Sequence, residues 1–348
     1  MKATAAILVE TGKPLAIEEI EIPALRFGQV LVKVICSGIC GAQINEIDAV
    51  KGPDKFLPHL LGHEATADVL ECGEGVTTVK PGDRVVMHWR KGAGLQAPTP
   101  KYASRIGTVN AGWVTTFNTH AVVSENRLTP IPKDFDPESG ALMGCAVTTA
   151  FGVLNNDAAI RVGESLVILG TGGVGLSLVQ GGVLVGANPI IAVDLKAAKL
   201  DLARKLGATC VIDASRQDVA AEVREVIGAG GADVVVDNTG NRQVMEMAYE
   251  LAAAQGRTVL VGVPRKGEKA AFDTLPLHFR KILTGSEGGG CRPDVDIPRY
   301  VRLCQAGRLD LESLVTDRCK LVDINAAIQK LRSGAVVGRC MVRADGKA

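Results

Sequence analysis

Aromatic residues are scarce in this chain: seven Phe, three Tyr and two Trp among 348 residues. Any pocket it builds is therefore expected to be aliphatic and polar. An excess of charge is missing too, since 39 Lys and Arg face 38 Asp and Glu for a formal net charge of +1. That balance argues against a dedicated nucleic-acid-binding or membrane-surface protein, which would show a basic footprint. Clustered cysteines are absent. The nine that occur are scattered singly, which excludes a disulfide framework and points to the cytosol. The opening residues Met1 to Ala5 lead into a short apolar strand and then Glu10, without the long apolar core and cleavage site of a signal peptide. There is no internal repeat and no low-complexity tract. With 47% hydrophobic and 22% charged residues nothing indicates disorder. The length suffices for about two domains.

What the chain does have is an uncharged stretch from Ser165 to Val193 that stops at Asp194. It is long enough to cross a bilayer. Several glycines and Asn188–Pro189, however, divide it into two strand-like pieces around one helix. Ser165–Leu169 reads as a buried strand, and Gly170, Thr171, Gly172, Gly173, Val174 and Gly175 follow as a G-x-G-x-x-G turn that opens the helix. Ile190 to Asp194 is a second strand closed by an acid. This is the dinucleotide-binding fingerprint. Gly170 permits the tight turn, Gly172 admits a pyrophosphate, and Gly175 lets the helix lie close on the sheet. The helix N-terminus offers unpaired N–H groups to the phosphates. Asp194, about twenty residues on, can accept from both ribose hydroxyls and repel a 2′-phosphate, so NAD is expected over NADP. Leu195 brings no compensating charge, while Lys199, one turn further, reaches towards a ribose hydroxyl.

Strands and helices alternate from about Ser165 to Ser286, which calls for a parallel sheet covered on both faces. Leu195, Leu202, Ala203 and Leu206 recur at helical spacing, with Gly207 as the stop. Further strands are expected at Cys210–Asp213, Asp233–Asp237, Arg257–Gly262 and Ile282–Ser286, giving a doubly wound α/β domain over residues 147–287. Residues 1–146 instead show short β-rich segments, such as Val30–Ile35 and Arg84–Met87, between Gly/Pro turns. That pattern suits a mostly antiparallel, barrel-like domain, to which residues 288–348 return. In those last residues one helix is expected, N-capped by Asp323, with Ile324, Ala327, Ile328 and Leu331 as its apolar face and Gly334 as its stop.

Cofactor binding does not name a reaction. Three places in the first domain hold candidate chemistry: Ser37–Gly41 with Cys40, Leu61–Glu64 with His63 and Glu64, and Met143–Thr149 with Cys145. Their spacing alone does not mark a metal site, because ligands in a compact finger sit only a few residues apart. Read that way, each cysteine is a small buried hydrophobe. Cys36 packs with Val32 and Val34, and Cys72, Cys210, Cys291, Cys304, Cys319 and Cys340 lack partners at ligand spacing. His59, His88, His120 and His278 read as surface or satisfied core residues.

Taken together, Gly38–Gly41, Gly62–Glu64, Pro81–Val85, Cys145 with Thr149, the glycine fingerprint and Asp323–Ala327 give a pattern that covers essentially the whole chain. It resembles the medium-chain dehydrogenase/reductase superfamily, specifically the zinc-dependent alcohol dehydrogenases. The resemblance implies a GroES-like catalytic domain beside the Rossmann domain. It also implies a catalytic zinc held by Cys40, His63 and Cys145, with Glu64 as an occasional ligand or neighbour. Two thiolates and an imidazole leave a fourth position open, where zinc as a Lewis acid lowers the pKa of an alcohol. Hydride then passes to the nicotinamide. By family position Thr149 lines the nicotinamide side, Arg339 approaches the pyrophosphate and Trp89 falls where relatives place a pocket aromatic. The implied partner is a small alcohol or the matching carbonyl.

The sequence departs from that family in two places. Many relatives carry a second, structural zinc on four closely spaced cysteines, but the stretch from His88 to Phe117 contains none, so only one zinc is expected. The usual proton relay is also missing. Ala42 stands where Ser or Thr is common, Gln43 where an Asp orients the zinc histidine, and Asn45 where a His ends the relay. Gln43 can still accept from His63, but it raises ligand basicity less than a carboxylate does. Two functions follow: a zinc- and NAD-dependent dehydrogenase for secondary or polyol-type alcohols, or a non-catalytic, redox-sensing NAD-binding protein with a drifted site. Relatives extend their nucleotide sheets across a two-fold axis, so a homodimer or homotetramer is expected through Ile282–Ser286 and the run Val259–Val263.

Overall fold

The computed structural model describes residues 1–344. It divides into two compact units, one of Met1–Cys145 with Arg292–Ala348 and the other of Ala146–Cys291. In the first unit, strands Lys2–Leu8, Ala16–Glu21, Lys101–Ser104, Gly107–Asn110 and His59–Leu60 close into a barrel. Its interior is filled by Ala5, Ile7, Ile20, Leu60, Tyr102 and Val109. A seven-stranded sheet accompanies it, in the order Leu128–Ile131, Arg84–His88, Glu64–Cys72, Gln29–Ile39, Arg339–Arg343 and Val315–Lys320, with His120–Ser124 also paired to Gln29–Ile39. The Gln29–Ile39 strand is central in this sheet and buried at every position except Lys33 and Ile35. The last strand returns beside it, Cys340 opposite Ile39 and Met341 opposite Gly38.

The second unit is a six-stranded parallel sheet, ordered Cys210–Asp213, Ile190–Asp194, Leu166–Leu169, Ala232–Asp237, Ala252–Leu260 and Ile282–Gly285. Val167, Leu169, Ile191, Val193 and Val235 are buried in it, as the β-branched runs dictate. The strand order reverses around Leu166–Leu169, which is the doubly wound arrangement. Helix Gly173–Val185 follows the glycine turn directly, and helix Ala197–Lys205 ends before Gly207 at φ 112°.

Two local expectations need adjusting. Helix Pro293–Gln305 was hidden by Pro298 in its interior, a residue that ordinarily ends a helix. Asp323 does precede helix Ile324–Arg332, but its side chain makes no capping bond. It closes a 3₁₀ turn over Leu321–Asp323, and its φ −97°, ψ 7° is not the extended conformation that aims a cap at the helix N–H groups. Among the described residues no helix is long and apolar enough to cross a membrane.

The cysteine-free lobe after His88 is ordered by two buried polar side chains on the turn Glu125–Arg127. Glu125 Oε1 accepts the backbone N–H groups of Thr77 at 2.5 Å and Thr78 at 2.6 Å, and Oε2 accepts that of Leu95 at 2.7 Å. Arg127 donates to the Trp89 carbonyl and, at 2.9 Å, to Gln96 Oε1, while its guanidinium lies 5.6 Å from the Trp113 ring centroid. Neither residue stood out in the sequence.

Candidate functional site

Three separate segments of the first unit converge. Cys40 sits where strand Gln29–Ile39 gives way to the short helix Gly41–Ile47, as its N-cap. His63 lies between strands His59–Leu60 and Glu64–Cys72, and Cys145 follows helix Pro137–Leu142. One ligand atom from each of Cys40, His63 and Cys145 lies within 4.8 Å of the other two. Cys145 is buried, and the other two are half-buried. The Cys145 thiol, hydrogen-bonded to the Cys40 sulfur, holds Cys40 well below the usual thiol range against the opposing effect of burial. His63 Nε2 is buried without a hydrogen-bond partner. Two sulfurs and an orphaned imidazole nitrogen form a soft, compact donor set that suits tetrahedral zinc.

Glu64 stands outside this cluster. It is fully buried, and its carboxylate forms an ion pair with Arg339, itself buried at the start of the last strand. Gln43 Oε1 accepts the Cys40 N–H at 3.0 Å, and Gln43 Nε2 contacts His63 Nδ1. Gln43 thus meets the histidine with its nitrogen, not with the oxygen that was expected to accept from it. Ala42 is exposed and Asn45 half-buried on the same short helix. The other histidines are core or surface groups. His59 bonds Asp54 Oδ2 at 2.7 Å and the Leu60 carbonyl at 2.9 Å. His88 bonds Thr129 Oγ1 at 2.9 Å, and burial pulls its pKa down to about 4.

In the second unit Gly170 takes φ 90°, and a Cβ on Gly175 would fall 2.0 Å from the Gly170 carbonyl oxygen. A Cβ on Gly172 would meet nothing within 4 Å, so open space lies over the turn where a pyrophosphate would pass. Gly173 and Val174 begin the helix, whose first N–H groups face that space. Asp194 ends its strand with Oδ2 accepting the Thr171 N–H at 2.8 Å and hydroxyl at 2.9 Å, and Oδ1 accepting the Leu195 and Lys196 N–H groups at 2.8 and 3.1 Å. These four bonds orient the carboxylate and take up its roughly four acceptor sites, so a ribose hydroxyl would share or displace one of them. Lys199 lies in the first turn of helix Ala197–Lys205, and Thr149 is buried on helix Ala146–Gly152. Asn238 was not anticipated: its Nδ2 lies 3.5 Å from the Gly170 carbonyl, and its Oδ1 is buried without a partner.

A doubly wound nucleotide unit, with a barrel unit that gathers two thiols and an imidazole, defines a metal-dependent oxidoreductase. Comparison with known proteins sharpens that class. Residues 26–133 match the alcohol dehydrogenase GroES-like domain, and residues 173–305 match the zinc-binding dehydrogenase family. The chain is 32% identical over 372 residues to the S-(hydroxymethyl)glutathione dehydrogenase of Escherichia coli O157:H7, covering 99% of this chain and 100% of that one. Among solved structures it is similar to an alcohol dehydrogenase zinc-binding domain protein from Burkholderia ambifaria, with 30% identity, a TM-score of 0.90 and 99% of each chain covered. It is likewise similar to the benzyl alcohol dehydrogenase of Acinetobacter calcoaceticus, with 28% identity, a TM-score of 0.89 and 99% of each chain covered. The chain belongs to the zinc-dependent alcohol dehydrogenases of the medium-chain dehydrogenase/reductase superfamily. It is an oxidoreductase of that type, with the Cys40–His63–Cys145 cluster as its zinc site and the NAD(H) use typical of the family.

Proposed function

We propose that this enzyme oxidises a secondary or polyol-type alcohol with NAD⁺, or reduces the matching carbonyl, in the cytosol. The observation that carries the reading is the Cys40–His63–Cys145 cluster in a chain that also has the glycine turn and Asp194. Zinc, when bound by those three side chains, supplies Lewis acidity that eases loss of the alcohol proton. The rest falls to the protein. The turn Gly170–Gly175 and the helix start behind it bind the pyrophosphate, and Asp194 with Lys199 holds the adenosine ribose. Thr149 lines the nicotinamide. Arg339 approaches the pyrophosphate with the donors that Glu64 leaves over, since a guanidinium carries five N–H groups. Glu64 acts as the partner that fixes Arg339, and as a neighbour of the metal.

A substrate that brings its own second hydroxyl suits the lost relay. Ala42 leaves room beside Cys40 for such a group, and the scarcity of aromatics favours a polar substrate over an aryl one. Self-association is supported by the free edge of strand Ile282–Gly285, where Ile282 is 46% and nearby Phe279 67% exposed. A light-scattering mass equal to one chain at micromolar concentration would refute the pairing, and a dimer or tetramer is expected.

Metal analysis with NAD⁺ turnover across primary, secondary and vicinal-diol alcohols tests the substrate class. Stoichiometric zinc with the highest kcat/KM on secondary alcohols or diols is expected. Preference for primary aryl alcohols would overturn the substrate class. The comparisons do not favour a non-catalytic cofactor-binding protein, a reading that would require NAD binding with neither zinc nor hydride transfer.

A further inference from the structure

Gln43 faces two partners with one carboxamide. It is 1% exposed and is the third residue of the short helix that starts after Cys40. Its Oε1 accepts the Cys40 backbone N–H at 3.0 Å, one half of a reciprocal cap on the helix start. A backbone N–H can only donate, so this bond decides which end of the carboxamide is oxygen. The other end, Nε2, faces His63 Nδ1. An amide nitrogen can only donate as well. His63 must then present a lone pair at Nδ1 and carry its ring proton on Nε2.

That tautomer is the wrong one for a ligand. With Nδ1 engaged by Gln43, Nε2 is the ring nitrogen available to a metal, and it is the one buried without a partner. Ligation through Nε2 requires its lone pair, which moves the proton to Nδ1, where it needs an acceptor. In that state both neighbours of Gln43 are donors, Cys40 N–H and His63 Nδ1–H. The carboxamide has one oxygen, and it lies at Cys40. Turning the group over would serve His63 but set the NH₂ against the Cys40 N–H. A carboxylate would meet both donors, one with each oxygen.

We propose that Gln43 is a positioning residue that makes the zinc of this site readily exchanged, because its carboxamide matches the metal-free histidine and opposes the ligating one. This rests on the reading of Cys40, His63 and Cys145 as the zinc ligands. The zinc-loaded full-length chain is mixed with a chromogenic chelator, and the rate of metal transfer is compared with that of Gln43→Glu, which replaces the NH₂ by oxygen in place. Partners behind a ligating histidine are worth about 10–100-fold in metal affinity, so release from the variant should be slower by about that factor. A second readout separates hydrogen-bond matching from added charge, and its wild-type arm does not depend on Gln43→Glu folding. In the metal-free wild type, labelled with ¹⁵N-histidine and assigned with His63→Asn, the neutral His63 ring should be the Nε2–H tautomer. In Gln43→Glu it should be the Nδ1–H tautomer. An Nδ1–H tautomer in the metal-free wild type, or equal release rates for the two chains, overturns the proposal alone. A chain that takes up no zinc overturns the ligand reading and the proposal with it.

Discussion

Glu125 should matter to stability out of proportion to its place in a loop. The four-cysteine zinc that orders this lobe in many relatives has no residues to bind it here. Glu125 instead ties together three backbone positions from two segments, Thr77 and Thr78 on one side and Leu95 on the other. Hydrogen bonds to a charged group contribute about 1.5–3 kcal/mol each, and deleting the acceptor strands buried donors. A simple sum overstates the loss, because the lobe can relax and admit water. Glu125→Ala is therefore expected to cost about 3–5 kcal/mol, near the upper end for single substitutions. In a unit of this size that lowers Tm by on the order of 10 °C. Glu125→Gln keeps one acceptor and places an NH₂ against the remaining N–H groups, so it should fall between wild type and Ala.

The pH dependence has a definite sign. Burial pushes the Glu125 carboxyl up, but the N–H groups of Leu95, Thr77 and Thr78 outweigh it and hold the pKa below the ordinary 4.5. A depressed carboxylate stabilises the fold above its unfolded pKa, and that contribution disappears as pH falls through the folded value. The gap between wild type and Glu125→Gln should thus be full near neutrality and close only below about 4.5. Thermal unfolding followed by near-ultraviolet dichroism across that range measures it. A loss below about 1 kcal/mol for Glu125→Ala at neutral pH, the size of one ordinary hydrogen bond, would refute the argument that this carboxylate replaces a metal.

Three further outcomes are expected. Asp194→Ala removes the carboxylate that opposes a 2′-phosphate and also frees Thr171, so kcat/KM should fall for NAD and rise for NADP by about 10-fold or more, and unchanged selectivity would refute the assignment. Gly175→Ala places a methyl group 2.0 Å from the Gly170 carbonyl oxygen, and calorimetric titration should show NAD binding lost or severely weakened; normal affinity would mean the turn is not the pyrophosphate site. The double change Ala42→Ser with Asn45→His should lower turnover by crowding the substrate hydroxyl. A gain within the ~10²–10⁴-fold range of general acid–base catalysis, with a new inflection near ~6.5, would instead show a proton step waiting for its relay.

The nucleotide unit was legible because its chemistry is local. Strand, turn, helix and acid lie within one stretch, and two of its glycines have local backbone reasons, Gly170 in its φ of 90° and Gly175 in its close approach to that residue. Gly175 is pressed against Gly170 only five positions away, and Asp194 bonds the turn that the same fingerprint contains. The parallel sheet followed from β-branched runs buried on both faces. Where Pro298 broke the pattern, helix Pro293–Gln305 disappeared from view although tertiary packing retains it.

The metal site obeys a different logic. Cys40, His63 and Cys145 are brought together by a strand end, a loop and a helix end, so no spacing rule could pair them, and only the family pattern did. The same non-local assembly brings Cys319 and Cys340 into thiol–thiol contact across adjacent parallel strands, although their spacing showed no link. It also sets Glu64 on Arg339, which is 275 positions away (339 minus 64). Hydrogen-bond polarity is more hidden still. The sequence showed that Gln43 stands where an acid is usual, and from that alone an accepting oxygen towards His63 was expected. The structure reverses that direction because the Cys40 N–H takes the oxygen first. A residue type limits what a side chain can do. Which of its atoms remains for the metal site is decided by the other neighbour it must satisfy.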